Sequence, residues 1–175
     1  DVSQRMLLFR GMLGEITRAG GAFHAELRGL AERLNQVQGR VYHRHCAAVL
    51  GDGACKFDLS APGFTADLGV ERIEDRATLI FADLDTFADR WFERGRLIVQ
   101  SGAAIGLSAA IKADRILLDG RRRVELWQRL GADLAPGDQI RLEAGCDKRS
   151  TTCRQKFNNF MNFRGFPHIP GEDWM

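Results

Sequence analysis

Four cysteines stand in two short segments, Cys46 and Cys55 in "HCAAVLGDGACKFDL" and Cys146 and Cys153 in "GCDKRSTTCRQKF". Cysteines so grouped can bind zinc, hold an iron–sulfur cluster, close disulfides or supply a nucleophile. Separations of nine and seven residues are not the Cys-x-x-Cys knuckle of structural zinc sites. One straight helix over 146–153 would place its sulfur-bearing positions about 10 Å apart along the axis. A tetrahedral ion needs every sulfur at about 2.3 Å, so the chain must turn between Cys146 and a helix that starts with Ser150 as its N-cap. Upstream, the residues around Gly51-Asp52-Gly53 must likewise loop back. Wide loops with a thiolate at each end suit a larger object, and an iron–sulfur cube on four thiolates is the leading reading. Zinc, disulfides and free thiols stay open beside it.

Lys148, Arg149, Arg154 and Lys56 flank the cysteines. Cations there would favour the thiolate form and offset the negative charge of a four-thiolate site. His45, next to Cys46, is a candidate to support a ligand by hydrogen bond, as is His43. A Cys/His peptidase would need a free thiolate, a base and a group that orients the base. His43, His45 and His168 supply possible bases, but no orienting partner is legible, and His45 and Cys46 would point to opposite faces of a strand. The carboxylates Asp83, Asp85, Asp89, Asp114 and Asp119 form no EF-hand pattern, and Asp119 belongs to a turn with Gly120.

Lys and Arg number 25 against 23 Asp and Glu, a net charge of +2. That near-balance argues against a nucleic-acid binder, since the basic exceptions are only "GRRRV" at 120–124 and the group Lys148, Arg149, Arg154 and Lys156. A chain of 175 residues with 45% hydrophobic composition can bury a core. No apolar run reaches the roughly 20 residues of a membrane span, and no signal peptide is legible. An Asp start running straight into a strand-like segment suggests the end of a longer polypeptide.

The elements that must position the cysteines read mostly as strands. Residues 5–17 suit a bent or bulged strand, and Gly20-Gly21 turns it into a second strand with Phe23, Ala25 and Leu27 on a buried face. Residues 30–36 form a short amphipathic helix, and "GRVYHRHC" leads extended into Cys46. From about 66 to 144 short strands alternate with turns, including Asp119-Gly120 and the Pro-Gly-Asp turn before strand 139–144. "LDTFADRWFERG" reads as one or two helical turns burying Phe87, Trp91 and Phe92, with Trp127 also in the core. The aromatic ending, with Phe157, Phe160, Phe163 and Phe166, is an ordered loop that covers the cysteine site or meets another subunit. The fold class is mainly β: small antiparallel barrel or sandwich units, a few short helices and a loop-rich four-cysteine segment.

The pattern C-x8-C … C-x6-C, with "CDKRSTTCRQKFNNFMNFRGFPHIPG" as its second half, resembles the C-terminal region of tailed-phage tail hub proteins. These include the tail tip protein L of lambda-like phages, and the likeness is greatest to the gene-transfer-agent and prophage branch. "FRGMLGEITRAGGAFHAELRGLAERLNQ" also resembles the end of that branch's hub domain. The resemblance implies a [4Fe–4S] cluster on Cys46, Cys55, Cys146 and Cys153, with zinc as the alternative, and a structural role with no enzymatic activity. It divides the chain into the end of a hub β-domain (1–42), cluster-binding segments (43–61 and 141–175) and an inserted β-domain (62–140) whose ends the cluster would pin together. The lambda-like proteins have a much shorter connection there. The resemblance further implies a homotrimer at the virion tail tip, assembled in the bacterial host cytoplasm and extracellular in the particle. Its partners would be other tail-tip proteins: a distal tail protein, a fibre-bearing or central tip protein and a cell-wall peptidase.

Overall fold

Seven short strands of the larger part of the chain must hide alternating apolar residues, and one curled sheet does so. In this computed structural model, which describes residues 5–35, 39, 41–82 and 84–170, the chain divides into two compact units, Asp1–Val41 and Tyr42–Met175.

In the first unit β1 (Gly11–Ala19) pairs antiparallel with β2 (Ala22–Gly29). Gly20 and Gly21 make the two-residue turn with φ of 59° and 80°, the left-handed pair that such hairpins require. The register slips between Leu13 and Ile16, which is the expected bulge. Residues Leu30–Asn35 form a 3-10 helix, and Gln36, the last residue of the expected helix, lies outside the described residues. The expected buried face is a correction: Phe23 is 76% and Leu27 65% exposed. Two strands alone offer no second layer to cover a face.

The second unit holds β3 (Thr65–Gly69), β4 (Arg72–Asp75), β5 (Thr78–Phe81), β6 (Arg96–Val99), β7 (Ser108–Ile116), β8 (Arg122–Leu126) and β9 (Gln139–Glu143). Their order is β3-β9-β6-β7-β8-β5-β4, antiparallel throughout. β3 and β4 sit at opposite edges, yet only Val70 and Glu71 separate them in the chain. The Val70 N–H donates to the Asp138 carbonyl beside β9, and the Glu71 N–H donates to Ile80 of β5. The sheet therefore curls into an open half-barrel whose two edge strands are linked at one end by this short connection. Strand alternation fills the interior: Val124 and Leu126 of β8 and Ile140 and Leu142 of β9 are buried. Trp127 follows Leu126 by one residue and so falls on the outer face, 65% exposed, contrary to the core expectation.

Residues 85–94 are turns and not the expected helix. Arg90 and Arg94 take φ of 62° and 65°, which stops helical propagation. Phe92 is fully buried, while Phe87 and Trp91 are half-buried. A buried ion pair anchors this loop. Arg122 of β8 binds Asp114 of β7 and donates to the carbonyls of Leu84, Phe87 and Ala88. Asp114 also accepts the Phe92 N–H at 2.7 Å. It is thus a structural carboxylate, while Asp83 lies outside the described residues. The other arginines of "GRRRV" face carboxylates as well, Arg121 towards Asp119 and Glu71, and Arg123 towards Glu74.

Candidate metal centre

β9 ends at Glu143 and delivers Gly145-Cys146 to the barrel's rim. Gly145 is required by close approach, since a Cβ there would lie 1.7 Å from the Glu93 carbonyl oxygen. The chain then reverses through Lys148, whose φ is 66°, into α1 (Ser150–Gln155). This is the expected turn, and it brings Cys153 back towards Cys146. Arg149, not Ser150, occupies the cap position, with no side-chain cap. Asp147 instead accepts the Arg149 N–H at 3.0 Å, just before the helix.

Asp52 shapes the first cysteine loop. Its carboxylate accepts the N–H groups of Cys55, Ala54 and Val49 at 2.6, 2.9 and 2.8 Å. Those bonds, the Cys55 one foremost, hold its carboxyl below the usual carboxylate range. Backbone bonds then join the two loops: the Cys46 N–H donates to the Lys148 carbonyl at 2.8 Å, and Lys148 Nζ reaches the Ala48 carbonyl at 2.6 Å. The C-terminal loop closes over both. The Phe166 N–H donates to His43, and a Cβ on Gly165 would stand 2.6 Å from the His45 backbone.

Cys46, Cys55, Cys146 and Cys153 consequently line one cavity, together with Phe157, Phe163, Asn159, Asn162, Lys148 and Arg149. None of the four is disulfide-bonded in this structure. Burial first, and then the neighbouring Cys146, Cys46 and Cys55, push the Cys153 thiol up to about 11. Burial also raises Cys146, against the opposing pull of Lys148. Burial thus favours the protonated form of these two thiols, and a bound cation would have to displace the protons. Among the described residues, no three His, Cys, Asp or Glu side chains are grouped closely enough for a single metal ion. Four thiols around one cavity are nonetheless the donor chemistry that either zinc or an iron–sulfur cluster takes.

Lys148 and Arg149 of the expected supporting residues reach this cavity. Arg154 instead stacks over Phe160 at 4.4 Å, and His45, His43 and His168 are exposed and off the cavity. Phe157 is buried against Phe57 and Phe64, while Phe160, Phe163 and Phe166 are half-buried. Sequence reasoning missed Asp52, Asn159 and Lys156. Lys156 places its ammonium 4.2 Å from the Trp91 ring centre and donates to the Gly145 carbonyl, and burial lowers it to about 8.

One implied task is already performed by the sheet. β3 and β9 are ladder partners, Thr65 opposite Glu143, and the Ala144 N–H donates to Phe64 at 2.8 Å. The barrel's ends are joined without help from the cysteines.

Residues 1–58 match the family described as baseplate hub protein, N-terminal attachment domain, and residues 90–173 match phage conserved hypothetical protein BR0599. The first match contains Cys46 and Cys55 and the second Cys146 and Cys153. A solved chain from the virion of a native gene transfer agent particle is 56% identical, with a TM-score of 0.78 over 100% of this chain. Residues 1–58 thus carry the attachment domain of phage baseplate hub proteins, and the whole chain is similar to a chain of a gene transfer agent virion. It spans 60% of the length of that solved relative. No curated protein matches it. Among the described residues, no helix is long and apolar enough to cross a membrane.

Proposed function

We propose that this chain is a structural hub component of a phage-like tail and holds one structural [4Fe–4S] cluster on Cys46, Cys55, Cys146 and Cys153, clamping the loops on either side of the barrel. The observation that carries this reading is the convergence of four free thiols from distant segments on one phenylalanine-walled cavity. Apolar walls limit solvent access to a bound group, which a cluster in an extracellular particle needs. The role read here is structural, and the histidines' position off the thiol cavity gives a Cys/His hydrolase no support. We place it at the virion tail tip as a homotrimer, assembled in the host cytoplasm and in contact with other tail-tip proteins. The β1–β2 hairpin, with Phe23 and Leu27 exposed, suits the end of a hub β-domain that packs on further hub structure.

Iron, sulfide and zinc content of protein purified without oxygen tests the reading. About four irons and four sulfides per chain, with a visible absorbance that dithionite bleaches, is the expected result. About one zinc and no colour would replace the cluster with a structural zinc site.

A further inference from the structure

One polar residue in the cysteine cavity touches cysteines of both loops, Cys153 through its backbone and Cys55 through its side chain. The Asn159 N–H donates to the Cys153 carbonyl at 3.0 Å, and its own carbonyl accepts the Cys153 thiol at 3.4 Å. Its side-chain Nδ2 donates to the Cys55 carbonyl at 2.7 Å and lies 3.5 Å from the Cys55 Sγ. Asn162 Nδ2 donates to the Asn159 Oδ1 at 2.7 Å. That bond fixes which way the amide points. Turned over, its oxygen would meet the Cys55 carbonyl oxygen and its NH2 would meet the Asn162 donor. Asn158 precedes it with φ of 45°, a left-handed turn that asparagine tolerates, and this swings residue 159 back onto the cavity.

We propose that Asn159 is a positioning residue that joins the two cysteine loops and, through its amide N–H on the Cys55 sulfur, sets the reduction potential of the iron–sulfur group bound there. This rests on the cluster reading above. A hydrogen bond to a ligand sulfur stabilises the state with more negative charge, the reduced one, and so raises the potential. The Arg164 backbone N–H makes a similar contact with the Cys46 Sγ at 3.3 Å. Because that donor is main chain, side-chain substitution leaves it in place. The Asn159 amide is the contact that can be removed.

Midpoint potentials from dye-mediated titration of anaerobic protein, with iron and sulfide counted on each sample, decide the matter. Asn159→Leu is close in shape and has no donor. The expected result is iron and sulfide equal to the unaltered protein with a more negative potential. Asn162→Ala keeps Asn159 and frees only its orientation, so a smaller shift in the same direction is expected. An unchanged potential in fully loaded Asn159→Leu protein overturns the proposal. If Asn159→Leu sheds iron, Asn162→Ala is read alone, and an unchanged potential there overturns it equally. Absence of iron and sulfide from the unaltered protein removes the cluster reading itself, a result distinct from a loaded protein with an indifferent potential.

Discussion

Arg122 grips Asp114 inside the barrel through two hydrogen bonds of 2.5 and 2.8 Å, and neither side chain sees more than 1% of solvent. Such a pair is costly to desolvate and costlier to break. Asp114→Asn should therefore destabilise the second unit by about 3–5 kcal/mol. Paired apolar replacement often restores stability in buried ion pairs, but here it should not. Arg122 also serves the carbonyls of Leu84, Phe87 and Ala88, which would be left without that donor. Urea unfolding of Asp114→Asn and of the Asp114→Leu/Arg122→Met double variant checks this, with both expected well below the parent. A double variant as stable as the parent would show that the loop carbonyls are satisfied without Arg122.

Gly145 has no room for a side chain because the Glu93 carbonyl, the Glu93 carbonyl carbon and the Gly95 nitrogen crowd it, all backbone atoms. Gly145→Ala should cost about 3 kcal/mol, at the upper end of overpacking effects. It should also lower iron content, since it displaces the adjacent Cys146. Gly131→Ala is the control: nothing lies within 4 Å of its added carbon. A change of less than about 0.5 kcal/mol is expected there. Thermal unfolding and iron assay of the two variants side by side provide the comparison.

The features legible in the sequence are those with local causes. Gly20-Gly21 and Asp119-Gly120 each specify their own turn, and both occur as read, with Gly120 at φ of 84°. The barrel followed from the density of such turns. Phe87 and Trp91 imitate one face of a helix by their spacing, but the loop's path is set by Arg122, which lies some 30 residues onward and competes for its carbonyls. Burial on the sheet's pleat, not hydrophobicity, put Trp127 outside. At the metal centre the cysteines were visible because few residue types bind metals. Their convergence was expected from the turns that each pair needs, but the means were not legible: Lys148 enters a left-handed conformation and Asp52 gathers three N–H groups. Asn159 carried no signal, since asparagine reads as loop wherever it falls.

Glu93 links Arg90 at 2.7 Å and Arg115 at 2.5 Å while itself only 14% exposed. The Arg90 bond above all, aided by Arg115 and opposed by burial, holds its carboxyl below the usual value. A depressed carboxylate contributes stability that is complete above its unfolded value of about 4.3 and is lost as pH falls through the lower folded value. Glu93→Gln should lose about 1 kcal/mol at neutral pH, most of it already gone in the parent at pH 3. Denaturation midpoints of both proteins from pH 7 to pH 3 should converge as pH falls. Parallel curves would mean that the two arginines add nothing beyond packing.

The β3–β9 ladder joins the barrel's ends, so the cysteines and the barrel should fail separately. Cys153→Ser removes one thiolate, and incomplete ligation should drop iron from about four per chain towards none. Metal binding and local folding are linked, so the segments at 43–64 and 145–170 should loosen with it. The barrel keeps its own core, with Leu97, Ile140 and Leu142 fully buried, and its own ladder. Amide exchange read by mass spectrometry should therefore show protection lost in the two cysteine segments and retained in β5, β8 and β9. Loss spread evenly over all seven strands of the sheet would mean that the bound group, not the sheet, closes the barrel.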